Sequence, residues 1–256
     1  MPIHAQPLDL LEDLAAARHL GPEEPASDPF AIALSGAGWA RRASGPLGRI
    51  GATWAGVRGR FLDRTIRRWT VPENAQVIVI GPGLDPALLR MPGGLVRPRT
   101  VHLIDRADVL DTRRERLKEA GLRAPMLPHA SADPRRWPGV ITALGQLPLR
   151  PTSALALVFA GQLPFESLDA LLGALDAMAA LPHAHLQLAF TWLAPGAETL
   201  PEPAATELAR LATAWPVHPL ALDLACRAVH PCDLTHTPLL RLGATELGFG
   251  TTIVIP

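Results

Sequence analysis

The feature that most constrains this chain is the segment Gln76-Val77-Ile78-Val79-Ile80-Gly81-Pro82-Gly83-Leu84-Asp85. Four consecutive β-branched residues suit a strand buried on both faces, as found inside a parallel sheet covered by helices. Glycines at 81 and 83 let the backbone turn and approach a ligand with no Cβ in the way. Asp85-Pro86 reads as a helix N-cap with proline at the first helical position, opening a helix to about Met91, before Pro92-Gly93-Gly94. A second strand, Thr100 to Ile104, ends in Asp105, 20 residues after Asp85, where open α/β folds place a carboxylate for ribose hydroxyls. The third glycine of the dinucleotide pattern is missing, because position 86 is proline. That argues against a pyrophosphate-bearing cofactor and for one without phosphates. An ordinary tight turn in an α/β core is the plain alternative.

From Ala75 onward the pattern alternates strand and helix: strands at 76–80, 100–104, near 125–130, 153–159 and 185–192, with helices over Arg106 to Ala120 and Phe165 to Leu181. The second of these helices places Leu168, Leu171, Leu172, Leu175 and Met178 on one face, a core stripe. Such alternation predicts an α/β fold, a Rossmann-like, mostly parallel twisted sheet with helices on both faces. Residues 1–70 hold no clear strand and read as an N-terminal helical cap or lid, leaving 71–256 as the main domain. Beyond residue 195 come a helix over Pro201 to Trp215 and a β-rich tail, strongest at Thr251 to Ile255, that predicts an antiparallel C-terminal strand pair. Charges balance at 24 against 24 with a pI near 7.1, and no basic run is interleaved with aromatics, so nucleic acid is not an expected partner. There is no uncharged apolar run of the roughly 18 residues a membrane span requires. With acids at Asp9, Glu12 and Asp13 in place of a basic leader, the expectation is a cytoplasmic chain whose two cysteines stay reduced.

Further motifs surround the glycine turn. Arg58-Gly59-Arg60-Phe61-Leu62-Asp63 precedes the first strand. Asp105 is followed by Asp108-Val109-Leu110 and Arg113, Ala132-Asp133 stands shortly before Trp137, and Phe159-Ala160-Gly161-Gln162-Leu163-Pro164-Phe165 closes the fourth strand. In this order, from about Arg58 to Leu172, the chain resembles the leucine carboxyl methyltransferase-like family of class I S-adenosylmethionine-dependent methyltransferases, including its bacterial O-methyltransferase members. The resemblance implies S-adenosylmethionine as cofactor. It gives Arg58 the methionyl carboxylate, Gly81, Gly83 and Asp85 the Gly-x-Gly-Leu-Asp turn, Asp105 the ribose, Asp133 the adenine amino group, and Ala160-Gly161 the end of the fourth strand. Arg90 falls where the family often has a second arginine. The chain departs from the family at Pro86-Ala87 in place of Thr-Arg, at Ala160 in place of Glu, at Phe165 in place of Tyr, and at Leu103 in place of an acid.

Methyl transfer from a sulfonium to oxygen is an in-line displacement, helped chiefly by alignment and a dry pocket. A carboxylate acceptor needs no base, whereas a phenol or alcohol benefits from one. No unique base is legible: His102 reads as structural, His129 as near the third strand end and facing the site, and His183 and His185 as structural. Cys226, His230, Cys232 and His236 are metal-ligand types, but their spacing lacks the paired pattern of a zinc site, and no metal is expected. Trp39, Trp54 and Trp69 read first as packing and second as a pocket lining. The functional expectation is an O-methyltransferase for a small-molecule carboxylate or hydroxyl, with specialised metabolism as its setting. A non-methylating enzyme such as a cyclase on the same fold, and a non-catalytic partner subunit, are the alternatives. The sequence names neither the acceptor nor the oligomeric state.

Overall fold

The computed structural model describes residues 29–36, 62–69, 75–89, 101–123, 127–160, 168–194, 232–242 and 245–254. Helix α1 (Pro29–Ser35) and helix α2 (62–69) precede strand β1 (Ala75–Ile80), which runs into a 3-10 turn at Pro86–Leu89. Then come β2 (Val101–Asp105), α3 (Ala107–Glu119), β3 (His129–Ser131), α4 (Trp137–Gly145), β4 (Ala154–Phe159), α5 (Leu168–Ala179) and β5 (His185–Ala194). Strands β6 (Cys232–Leu242) and β7 (Thr245–Val254) follow. Among the described residues no helix is long and apolar enough to cross a membrane.

The strands form one seven-stranded sheet in the order β3-β2-β1-β4-β5-β7-β6. β1 lies in the middle of the five parallel strands, paired with β2 through Val77↔Val101 to Ile80↔Ile104 and with β4 through Ala75↔Ala154 to Ile80↔Phe159. All six β1 residues are buried, as the unbroken β-branched run requires of a strand with parallel neighbours on both sides. β3 and β5 extend the parallel part, while β7 runs antiparallel to both β5 and β6. β6 is an edge strand, and its register shifts between Pro238 and Leu240, where proline has no N–H to give a ladder.

The side chains on one face of the sheet, among them Val77, Val79, Val101, Leu103, Ala156 and Val158, share a buried cluster with Leu62 and Ile66 of α2 and Leu110 of α3. Trp69 packs against the same cluster, so the one described tryptophan of the N-terminal segment is a packing residue. α1 is held by a second cluster, in which Leu34 meets Leu84, Leu89, Val109 and Leu117. The side chains of Leu62, Ile66 and Leu34 are at most 1% exposed, and burying each favours folding by roughly 1.5–3 kcal/mol. α3 stops where the sequence predicts: Gly121 takes φ +66°, its N–H donates to Lys118 O and that of Leu122 to Leu117 O, the two bonds of a Schellman end.

Two expectations are corrected. Pro86 opens a 3-10 turn, Pro86–Leu89, in place of a regular helical turn, and the expected end near Met91 lies outside the described residues. Over Pro86–Leu89 the chain bonds as a 3-10 turn, the form that short helical pieces commonly take. α4 had no counterpart in the strand-helix reading. Its buried positions Val140, Ala143 and Leu144 follow helical spacing, but Pro138 and Gly139 in its first turn disguise it.

Candidate functional site

The chain leaves β1 towards β2 on one side and returns to β4 on the other, so a crevice opens at the carboxyl ends of β1 and β4. The glycine turn fills this point. Gly81 and Gly83 take φ +66° and +57°, a left-handed conformation that residues with a Cβ avoid, and this reverses the chain directly after Ile80. The N–H of Gly81 donates to Ile104 O at 2.8 Å, that of Gly83 to Asp105 Oδ2 at 2.8 Å, and that of Asp85 to Pro82 O at 3.1 Å. All three amides are thus used within the protein. On the β4 side the N–H of Ala160 donates to Ile80 O at 3.0 Å, so Ala160 lies buried beside the turn.

Asp105 is 4% exposed and accepts a second amide, from Arg106 N to Oδ1 at 2.8 Å. Burial pushes its carboxyl up to about 6, against the Gly83 and Arg106 amides and the Arg106 and Arg113 charges, which pull it down. Each oxygen keeps a second lone pair for another donor. Beneath the turn, Arg113 donates through Nη1 to Gly83 O at 3.2 Å and to Asp85 O at 2.7 Å. Arg106 sits at the rim, its Nε and Nη2 on Asp108 at 2.9 and 2.7 Å, and the Asp108 hydrogen bond is the main reason its pKa is raised.

One strand further on, Asp133 follows β3 and is bound by Arg135, with Nη2 to Oδ2 at 2.7 Å, Nε to Oδ1 at 3.0 Å and the Arg135 N–H to Oδ1 at 3.1 Å. Desolvation alone would raise this carboxyl, yet the Arg135 hydrogen bonds and the Arg135 and Arg106 charges hold it below the usual carboxylate range. Trp137, at the start of α4, leans on Phe159 at the end of β4, with ring centroids 6.2 Å apart and planes tilted by 39°. Gly81, Gly83, Asp85, Asp133 and Ala160 therefore follow strand ends, and Asp105 closes β2, all at the carboxyl edge of the sheet. Arg58, Arg90, Gly161 and Phe165 lie outside the described residues.

His129 does not stand at the third strand end. It opens β3 in register with Leu103, exposed, with Nδ1 3.3 Å from Leu127 O, because the strand begins later than its sequence suggests. His102 is buried in β2, and burial together with Arg150 keeps its pKa below the ordinary histidine value. Cys232 and His236 fall in β6, Cys226 and His230 lie outside the described residues, and no described cluster is arranged to hold a metal ion. Sequence reasoning missed the Arg135 grip on Asp133 and treated Arg113 only as a basic residue on a helix. The signal for Arg113 was its place on the apolar stripe of Val109, Leu110 and Leu117.

A family model described as leucine carboxyl methyltransferase matches residues 10–176. A protein of Mycobacterium avium (strain 104) provisionally named an S-adenosyl-L-methionine-dependent methyltransferase is 29% identical over 193 residues, covering 71% of this chain and 57% of that protein. A Mycobacterium marinum protein of the same provisional name is 33% identical over 144 residues, covering 55% of this chain and 43% of its own. The chain thus spans about half the length of these relatives. The crystal structure of a protein from Thermobifida fusca YX, provisionally named a methyltransferase, superposes with a TM-score of 0.52 at 17% identity over 95% of this chain and 96% of its own. That likeness is one of fold.

Proposed function

The chain belongs to the leucine carboxyl methyltransferase family, and from that premise we propose that it binds S-adenosylmethionine at the glycine turn and methylates an oxygen of a small-molecule acceptor. The observation that carries the reading is the use of the turn's amides. Gly81, Gly83 and Asp85 all donate within the protein, and the described segment that follows, Pro86–Leu89, is a 3-10 turn. A turn of this kind offers a wall for a nucleoside and no cradle for a phosphate. A phosphate-free cofactor with ribose hydroxyls to donate and an adenine amino group to place fits the two carboxylates that flank it.

In this reading Asp105 takes the ribose hydroxyls on its remaining lone pairs and Asp133 the adenine amino group. Gly81 and Gly83 let the nucleoside approach, Ala160 and Gly161 close the β4 side, Asp85 shapes the turn, and Arg58 receives the methionyl carboxylate. The cofactor would supply a methyl group activated by a sulfonium. The residues of the chain align it and exclude water, and Arg135 keeps Asp133 ionised. No base is required if the acceptor is a carboxylate. Acceptor choice is assigned to the N-terminal segment before residue 70, and specialised metabolism is the setting this reading favours.

Titration calorimetry with S-adenosylmethionine and S-adenosylhomocysteine tests the proposal. Wild type should bind both, and Asp133→Ala should weaken binding by roughly 1–3 kcal/mol, the cost of one charged hydrogen-bond partner. Absence of binding at millimolar ligand would overturn the reading in favour of a partner subunit. Binding with no methylated product from a panel of carboxylates and phenols would point to non-methylating chemistry on the same site.

A further inference from the structure

Arg113 occupies the second turn of α3 on the face that carries Val109, Leu110 and Leu117, and it is 5% exposed. Its Nη1 holds two carbonyls of the glycine turn, while Nη2 is buried with no hydrogen-bond partner among the described residues. Desolvation pulls this guanidinium down to about 10, although Asp85 and Asp105 oppose the shift. A buried cation so incompletely bonded is a poor device for stability alone, since an aliphatic residue there would pack α3 at lower cost. What arginine adds is a grip on peptides that belong to no helix or strand. Gly83 is held from both sides: its N–H by the anionic Asp105 of β2, its C=O by the cationic Arg113 of α3.

We infer that Arg113 is the positioning residue of the turn, fixing the Gly83 and Asp85 carbonyls and thereby the surface presented to the cofactor, acting through the backbone and not on the ligand. The inference rests on the reading of the turn as the S-adenosylmethionine site. Because the grip exists without ligand, it is measurable without ligand.

The test uses the full chain with Arg113→Met and Arg113→Lys. Amide hydrogen exchange is followed at Gly81, Gly83, Leu84 and Asp85 against Val79 and Leu157 in the sheet, and S-adenosylhomocysteine affinity is measured by calorimetry. In Arg113→Met the turn amides should exchange on the order of tenfold faster with the sheet unchanged, and affinity should fall between roughly tenfold and a hundredfold. Arg113→Lys, which keeps the charge but reaches a single carbonyl, should recover part of both. Unchanged exchange at the turn in folded Arg113→Met overturns the inference; should that variant not fold, unchanged exchange in Arg113→Lys does so. Equal acceleration in turn and sheet also overturns it, by reducing Arg113 to a fold residue. Faster exchange confined to the turn, in a protein whose wild type binds no cofactor, would support the grip and remove the cofactor reading instead.

Discussion

Asp105 is asked to do two things that pull its proton affinity in opposite directions. Burial raises its carboxyl to about 6, so the folded chain binds a proton more readily there than the unfolded chain does. The sign follows: this group's contribution to stability is smallest above about pH 6 and grows as pH falls from there towards its unfolded value near 4. In the proposed cofactor site, however, the ionised form is the one that would accept from ribose. We predict that lowering the pH from 7 to 5 shifts the stability difference between wild type and Asp105→Asn in favour of wild type, by thermal unfolding without ligand. Over the same interval the S-adenosylhomocysteine dissociation constant of wild type should rise roughly tenfold, as one proton competes with the ligand. Flat profiles in both would mean that Asp105 titrates like an exposed acid. Asp133 behaves differently because Arg135 holds it ionised throughout this range.

At the scale of elements, β1 is anchored differently at its two ends. Its carboxyl end feeds the glycine turn. Near its amino end the buried Gln76 side chain bridges to the turn before β4, with Oε1 accepting from Arg150 N at 2.8 Å and Nε2 donating to Arg150 O at 3.2 Å. Gln76 is one polar residue in a strand of otherwise apolar side chains, and its amide replaces solvent for a backbone segment that has no ladder partner. Gln76→Leu should cost about 1–3 kcal/mol, visible as a lower melting temperature. Cofactor affinity should be unchanged, because the carboxyl edge of the sheet is untouched. A loss of affinity equal to that of the Asp133 variant would mean that the two ends of β1 are coupled.

For the whole molecule, the question is how the N-terminal segment is held to the sheet. Besides the Leu34 cluster, Arg116 of α3 donates through Nη1 to Leu34 O at 2.5 Å, closing the end of α1. Gly36, at φ +72°, lies over that guanidinium so closely that a Cβ would come within 2.9 Å of Arg116 Cζ. Arg116→Ala should lower stability by about 1–2 kcal/mol and speed amide exchange in residues 29–36, leaving β1 and β4 protected. Uniform destabilisation would show that α1 and the sheet unfold as one unit. α3 thus holds the glycine turn through Arg113 and α1 through Arg116, one turn of helix apart.

The central strand, the glycine turn, Asp105 and most of the strand-helix order were legible in the sequence because each rests on a local property. β-branching, a positive φ that glycine tolerates, and the spacing of apolar residues are all written within a few neighbouring positions. The 3-10 form of the turn at Pro86–Leu89, the place of His129 within β3 and the existence of α4 were not, since each depends on which hydrogen-bonding pattern the backbone enters and where it starts. The partners of the site's charges lay further still from a linear reading. That Arg113 turns inward to two carbonyls nearly 30 residues away, and that Asp105 uses both oxygens on backbone amides before any ligand arrives, follow from packing α3 over the end of β1. Local chemistry set which residues can make a turn and carry a charge; only the tertiary structure decided which of those charges face each other in a medium that makes their pairing count.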